Sequence, residues 1–287
     1  MKNINWIASY PKSGNTMVRL FLCAYLFTET GKISDFKIIN AIKKFNTDSV
    51  FKKYKKNFDL KFYNSKPNEI SKFFIHVQNN LYTIFKKNIF FFKTHNALSN
   101  YGMENFTNDN ITRSVIYIVR DPRSVLLSEM YHYNRLSQEE TFMYMKNPTR
   151  FSLGVKEEMS LPEIISSWKI NYLSWKKFII ENKNGIIFRY EDLVNNPEYY
   201  FKQMIIFLGK RNNFQFEKNK FYNSLSSIKF DNLKNLEKSF GFSERTSNKE
   251  NFFRKGLVDE WRGKINNDIQ KKVEDIFHDE MVSLNYI

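Results

Sequence analysis

The sequence holds a single cysteine, Cys23, so no disulfide can form within the chain. It lies in an apolar helical run and reads as a small core residue, in keeping with a reducing compartment. No stretch approaches the roughly 18 consecutive apolar residues of a membrane span. Met1 and Lys2 lead almost directly into an apolar strand, with no h-region to cleave. A soluble, cytoplasmic protein is the expectation. Histidine is scarce, four in 287 residues. No cluster of His, Cys and Asp has metal-ligand spacing, so no metal is expected. Internal repeats are also missing, and the length suits one large α/β domain, 1–287, better than two.

What the chain has in excess is positive charge, +15 at pH 7. That balance invites an anionic partner: nucleic acid, a membrane surface or a small polyanion. Yet Lys, Asn, Ile, Phe and Tyr, all heavily used here, are the residues of A/T-rich codons, and genome bias inflates lysine and aromatics together. The segment KKFNTDSVFKKYKKNFDLKF, residues 43–62, interleaves basic and aromatic residues as a single-strand-binding surface does. A solvated, compositionally biased surface segment is the preferred reading of it.

Four short runs have the apolar character of buried parallel strands: Ile4–Ser9, Ile89–Lys93, Val115–Val119 and Ile186–Tyr190. Helices are expected at Asn15–Phe27, Pro122–Tyr133, Leu161–Ile180, Pro197–Leu208 and Ile265–Met281. In the third, Leu161, Ile164, Ile165, Trp168, Tyr172, Trp175 and Ile179 form a broad apolar stripe. Asn196-Pro197 opens the fourth and Gly209 closes it. Strands alternating with helices predict an α/β three-layer sandwich with a central parallel sheet, whose ligands bind beyond the carboxyl ends of the strands. Those ends run into YPKSGNT, KTHN, RDPRS and YEDL, all rich in functional residue types. Residues 30–85 and 134–160 read as irregular polar insertions over that edge.

The first strand end, Tyr10-Pro11-Lys12-Ser13-Gly14-Asn15-Thr16, is a strand–turn–helix elbow. Free N–H groups of the first helical turn and the helix dipole converge there on one point, which suits an anion. It is not a Walker A loop: Lys12 precedes Gly14, and no earlier glycine is present. Arg120 stands where a Walker B strand offers a metal-binding acid, and Asp121 before Pro122 reads as a helix N-cap. Ser128, eight residues after Arg120, lies about two turns into the next helix, so both can reach one compact anion.

With the elbow, this pair resembles the cytosolic-type sulfotransferase family, which uses 3′-phosphoadenosine 5′-phosphosulfate (PAPS). The resemblance implies a P-loop-containing, sulfotransferase-like fold over a single domain. It implies that Lys12, Ser13, Gly14, Asn15 and Thr16 cradle the phosphosulfate and that Arg120 and Ser128 hold the 3′-phosphate. The late segment RKGLVDEW matches the family's R-K-G-x-x-G-D-W at Arg254, Lys255, Gly256 and Trp261, and departs from it at Asp259 and Glu260. Tyr190 of FRYEDL resembles the adenine-contacting tyrosine, and Phe230 of IKFDNLKNLE the adenine-stacking phenylalanine. Met17 stands where the family commonly has Trp. Similar motifs span positions 6 to 261 in the family's order.

Sulfuryl transfer needs a base for the acceptor and compensation of charge on the departing phosphate. His95, two residues past the expected strand end, suits the base, worth roughly 10²- to 10⁴-fold, and the family's base sits in a similar K-T-H. Lys12 would act on the bridging oxygen, with Lys93 assisting at the same centre. The resemblance also implies that Ser128 holds Lys12 back until acceptor arrives. His76, His132 and His278 read as ordinary surface or core histidines. The reading is a PAPS-dependent sulfotransferase, leaving 3′-phosphoadenosine 5′-phosphate (PAP), that acts on a hydroxyl in preference to an amine. The acceptor is a small molecule, glycan or lipid; no nucleic-acid partner is expected. Two alternatives stay open: an atypical P-loop kinase using ATP and magnesium, and a non-catalytic basic RNA-binding protein.

Overall fold

The computed structural model describes residues 2–51, 59–98, 104–135, 137–155, 160–242, 244, 252–253, 256 and 258–287. Seven strands are present among these: β1 (Ile4–Ser9), β2 (Lys43–Lys44), β3 (Phe90–Thr94), β4 (Thr112–Val119), β5 (Phe151–Ser152), β6 (Glu163–Ile164) and β7 (Gly185–Arg189). The helices are α1 (Asn15–Phe27), α2 (Asp48–Phe51), α3 (Leu60–Ser65), α4 (Ser71–Asn79), α5 (Leu81–Phe85), α6 (Pro122–His132), α7 (Gln138–Lys146) and α8 (Trp168–Asn182). They continue with α9 (Tyr190–Asn195), α10 (Pro197–Asn212), α11 (Lys218–Ser227), α12 (Phe230–Phe240), α13 (Asn267–Ile276) and α14 (His278–Ser283). The fold is α/β, a central five-stranded sheet flanked by helices, in the order β2-β3-β1-β4-β7. β1 pairs in parallel with β3, Ile4 opposite Phe90, and with β4, Trp6 opposite Val115.

The described chain divides into two compact units. One comprises Met1–Tyr10, Lys43–Ile118 and Tyr144–Ile187; the other Pro11–Ile42, Val119–Met143 and Phe188–Ile287. The first carries most of the sheet. Its centre is an aromatic cluster in which Phe45 lies 5.3 Å from Trp6, 5.4 Å from Phe51 and 5.5 Å from Phe92, ring centre to ring centre. Phe45 and Phe51 are fully buried. The reading of residues 43–62 as a solvated surface segment is thus corrected at these positions: Phe45 and Phe51 close the core beside the sheet, because β2 pairs with β3 through Lys43 and Lys44 and turns Phe45 inward, while Phe62 is exposed as expected. Residues 52–58 of the segment lie outside the described ones.

Other boundaries move for identifiable reasons. The apolar stripe from Leu161 to Ile179 is buried throughout, but helix begins only at Trp168. Upstream, Ile164 and Glu163 pair with Phe151 and Ser152 as an antiparallel ribbon. Ser166 then adopts a positive φ of 60°, a helix-breaking conformation, and Ser167 caps the new start by accepting from the Ile170 N–H. Gly209 does not end α10, which runs on to Asn212 with Asn213 in the left-handed region at φ 57°. Instead it lets the chain fold back: a Cβ there would lie 2.6 Å from the Phe214 carbonyl oxygen. The expected helix at Ile265–Met281 is two, α13 and α14, parted at Phe277. The supposedly irregular stretches hold short helices, α2 to α5 and α7.

Candidate active site

His95, Arg120 and Tyr190 are each the first residue after a strand, following β3, β4 and β7. Tyr10 likewise follows β1 and opens the elbow.

In the first unit, every polar handle of His95 but one is engaged. Its backbone N–H donates to the Glu163 carboxylate (2.9 Å), and its carbonyl accepts from the Asn171 side-chain amide (2.9 Å). Ring Nδ1 lies 2.7 Å from the Ser9 carbonyl oxygen and 3.3 Å from Ser9 Oγ. A carbonyl only accepts, so Nδ1 carries the proton and Nε2 keeps its lone pair. Withdrawal of the ring from water, reinforced by Lys93, holds the imidazole well below the ordinary histidine range; Glu163 and the Ser9 carbonyl oppose this. His95 is therefore neutral at pH 7, with a free basic nitrogen.

Its neighbours are fixed in turn. The Asn96 side chain accepts from the Ile164 N–H (2.8 Å) and donates to Asn46 Oδ1 (2.9 Å). The Asn46 amide donates to the Pro162 carbonyl. Trp175 Nε1 donates to the Asn96 carbonyl (2.9 Å). Glu163 is buried and pairs with Lys44 at 3.0 Å. Burial by itself would raise its pKa, but Lys44 and Lys93, with the hydrogen bond from the His95 N–H, hold the carboxyl well below the usual range. Glu163, Lys44, Ser9 and Asn171 are not among the site residues expected from the sequence. An acid between Pro162 and two isoleucines was the one available signal, hidden by assigning that stretch to a helix.

From Pro11 onward the elbow belongs to the second unit. Lys12 has φ 63° and Gly14 φ 98°. Gly14 stands at the N-cap of α1, which has no side-chain cap and no acid in its first turn. A Cβ on Gly14 would lie 2.3 Å from the Tyr190 ring, so only glycine fits both the turn and this contact. Ser13 is buried with its hydroxyl lacking a hydrogen-bond partner. Arg120 stacks its guanidinium 4.4 Å from the centre of Tyr190 and donates to the Lys12 carbonyl (3.1 Å). The elbow, Arg120 and Tyr190 are thereby brought together. Ser128 is half-buried on α6.

Two more contacts complete this region. The Lys12 ammonium lies 4.7 Å from the centre of the Phe252 ring. Thr16 donates its hydroxyl proton to Glu244 (2.9 Å), whose other oxygen accepts from Arg19. The late motif is anchored to the start of α6: Arg123, in a buried pair with Asp121, lies 3.9 Å from the centre of Trp261, and Ser124 donates to the Val258 carbonyl. Asp121 caps α6 as expected. Gly256, at φ 64°, packs on Phe230, and a Cβ there would lie 2.6 Å from that ring. Glu260 pairs with Lys264 at 2.7 Å and Asp259 lies 3.7 Å from Arg262, so both departures from the motif meet a cation within one turn. Arg254 and Lys255 lie outside the described residues.

Among the described residues there is no group of three or more His, Cys, Asp or Glu side chains set to hold a metal ion, and no helix is long and apolar enough to cross a membrane.

Comparison with known proteins bears on this arrangement. Cytosolic sulfotransferase 3 of Arabidopsis thaliana is 27% identical over 171 residues, 58% of this chain and 52% of that protein. Sulfotransferase 2A2 of Rattus norvegicus is 26% identical over 177 residues, 58% of this chain and 56% of that one. The chain spans about half the length of the curated relatives it matches. In fold it is similar to mouse sulfotransferase SULT7A1, solved in complex with PAP, with TM-score 0.60 and 20% identity over 98% of this chain and 84% of that one. It is also similar to retinol dehydratase, solved with androsterone and the inactive cofactor PAP, with TM-score 0.61 and 16% identity over 97% and 80%. The family profile described as the sulfotransferase domain matches residues 3–285, and on that match the chain belongs to the sulfotransferase domain family.

Proposed function

We propose that this protein moves a sulfuryl group from PAPS to an acceptor hydroxyl, with His95 as general base. The observation that carries the reading is the elbow. An uncapped helix N-terminus, a left-handed glycine and a buried, unpartnered Ser13 hydroxyl form a cradle rich in donors, as a phosphosulfate requires. When bound, the cofactor supplies a sulfuryl group already activated by a phosphate leaving group.

The chain's own residues have distinct tasks. Ser13, Gly14, Asn15 and Thr16 hold the phosphosulfate through backbone N–H groups of the first turn and the Ser13 hydroxyl, the Thr16 hydroxyl being engaged by Glu244. Lys12 brings positive charge to the bond that breaks, a contribution that counts to the extent that it grows toward the transition state. Lys93 adds to that field. Arg120, already aligned by Tyr190 and the Lys12 carbonyl, holds the 3′-phosphate with Ser128, and Arg254, Lys255 and Gly256 are the further residues assigned to that anion. Phe230 and Tyr190 offer aromatic faces to the adenine. His95 takes the acceptor proton on Nε2, the nitrogen that its contact with Ser9 keeps free. The acceptor is a small molecule, glycan or lipid hydroxyl, and the protein works in the cytoplasm as a single catalytic domain.

Calorimetric titration with PAP, against ATP and AMP and without added metal, is the direct test. Tight binding of PAP that falls sharply when the 3′-phosphate is absent is the expected result. Preference for ATP with magnesium would replace this reading with the kinase one.

A further inference from the structure

His95 is held by a buried carboxylate, that of Glu163. Glu163 Oε1 receives the His95 backbone N–H at 2.9 Å, while Oε2 lies 3.0 Å from the Lys44 ammonium. An acid buried to this degree is retained as an anion only at a cost, and is kept where its charge is compensated. The strand pairing makes that possible: β6 carries Glu163 at the ribbon, and β2, beside β3, carries Lys44. The Asn46–Asn96–Ile164 hydrogen bonds lock the same segments together.

We propose that Glu163 is a positioning residue for the general base: it fixes the backbone of His95 and supplies the negative charge that favours the imidazolium formed when the acceptor proton reaches Nε2. This rests on the sulfotransfer reading for its role in turnover, but not for the coupling itself. The proton moves from the acceptor oxygen to Nε2, Nδ1 keeps its own proton on the Ser9 carbonyl, and the imidazolium later returns the proton to water. Among the described residues, the charges that act on the ring are Lys93 on β3 and Lys44 on β2, both disfavouring the cation, and Glu163 on β6, favouring it. The Ser9 carbonyl on β1 also favours it, and Asn171 on α8 is a neutral amide. Glu163 is the one anion in this set. Without it, two lysines would leave His95 a weak base at the moment it must accept a proton.

The test uses the whole chain with labelled histidine, following the imidazole nitrogens of His95 by NMR through a pH titration. His95→Asn identifies its signals. Glu163→Gln keeps an acceptor for the His95 N–H and removes only the charge. It is expected to move the His95 midpoint down by about one pH unit, a tenfold loss of basicity. Lys44→Met removes a cation and is expected to move the midpoint up. With an acceptor in hand, Glu163→Gln should lower kcat by up to about tenfold with little change in PAP affinity, and shift the acid limb of the pH profile with the NMR midpoint. Coincident titration curves in all three proteins would overturn the proposal, as would matched pH profiles. If Glu163→Gln does not fold, Lys44→Met decides by the direction of its shift. Opposed NMR shifts in a protein that binds ATP and magnesium instead of PAP would uphold the coupling and remove the sulfotransfer reading alone.

Discussion

The corner around His95 and the elbow around Gly14 solve opposite problems. At His95 the backbone N–H, the carbonyl and Nδ1 are all taken up by Glu163, Asn171 and Ser9. At the elbow the helix starts without a side-chain cap and the Ser13 hydroxyl is buried without a partner. A base must be aimed, so rigidity and a fixed tautomer serve it, and all its hydrogen bonds but one are spent on orientation. An anion cradle must keep its donors for the ligand, so its shape is set by backbone conformation and packing instead: Gly14 under Tyr190, and Arg120 across Tyr190 onto the Lys12 carbonyl.

The largest effect that would break this contrast is at His95. His95→Ala is expected to reduce turnover by about 10²- to 10⁴-fold and to leave PAP affinity within about twofold; single-turnover rates and calorimetry together measure the split. Turnover near wild type would remove the base from that corner. Next comes Arg120→Ala, expected to weaken PAP by about 100-fold, the scale of losing one partner of a desolvated charge pair, with much less effect on the analogue lacking the 3′-phosphate. Equal losses for both ligands would assign Arg120 to elbow structure alone. Glu244→Gln probes the elbow from the other side. Its carboxylate engages Thr16 and Arg19, so neutralising it should tighten PAP by about three- to fivefold, in line with one screened charge near a helix N-terminus; weaker binding would make Glu244 a support of the cradle.

The smallest expected change is one of pH. His95 is held below the ordinary histidine range by withdrawal from water and by Lys93, so its neutral, base-competent form persists as pH falls through about 6.5, where an ordinary histidine is half lost. The kcat/KM of the wild-type enzyme should stay nearly flat from pH 8 to 6.5, and a fall centred near 6.5 would mean that the ring is better hydrated than its surroundings suggest.

Much of this was visible in the residues themselves. Ile4–Ser9 and Asn15–Phe27 run as expected, because a short apolar run ending in a Gly-containing turn leaves few other structures. The three remaining strands are found within one to three residues of where their apolar runs place them. What misled was the apolar character of residues 161–167. Burial there was correctly expected, but the period of three and four arises across a β-ribbon, a left-handed Ser166 and a helix, elements that share a buried side and not a helical axis. Residues 43–62 misled in the opposite direction: lysines and phenylalanines alternate there on composition alone, and only pairing with β3 shows that Phe45 and Phe51 face the core.

The sequence by itself determined the family, the elbow, and the residues that end the strands, because those depend on contiguous runs and on residue types that few other chemistries require. The tertiary structure decided which nitrogen of His95 is free, why glycine is required at Gly14, and that a buried glutamate from a distant segment sits behind the base. Tautomer, close approach and local field depend on groups 68 to 176 positions apart in the chain, such as Glu163 with His95 and Tyr190 with Gly14. No local pattern can encode a distance that exists only once the sheet has formed.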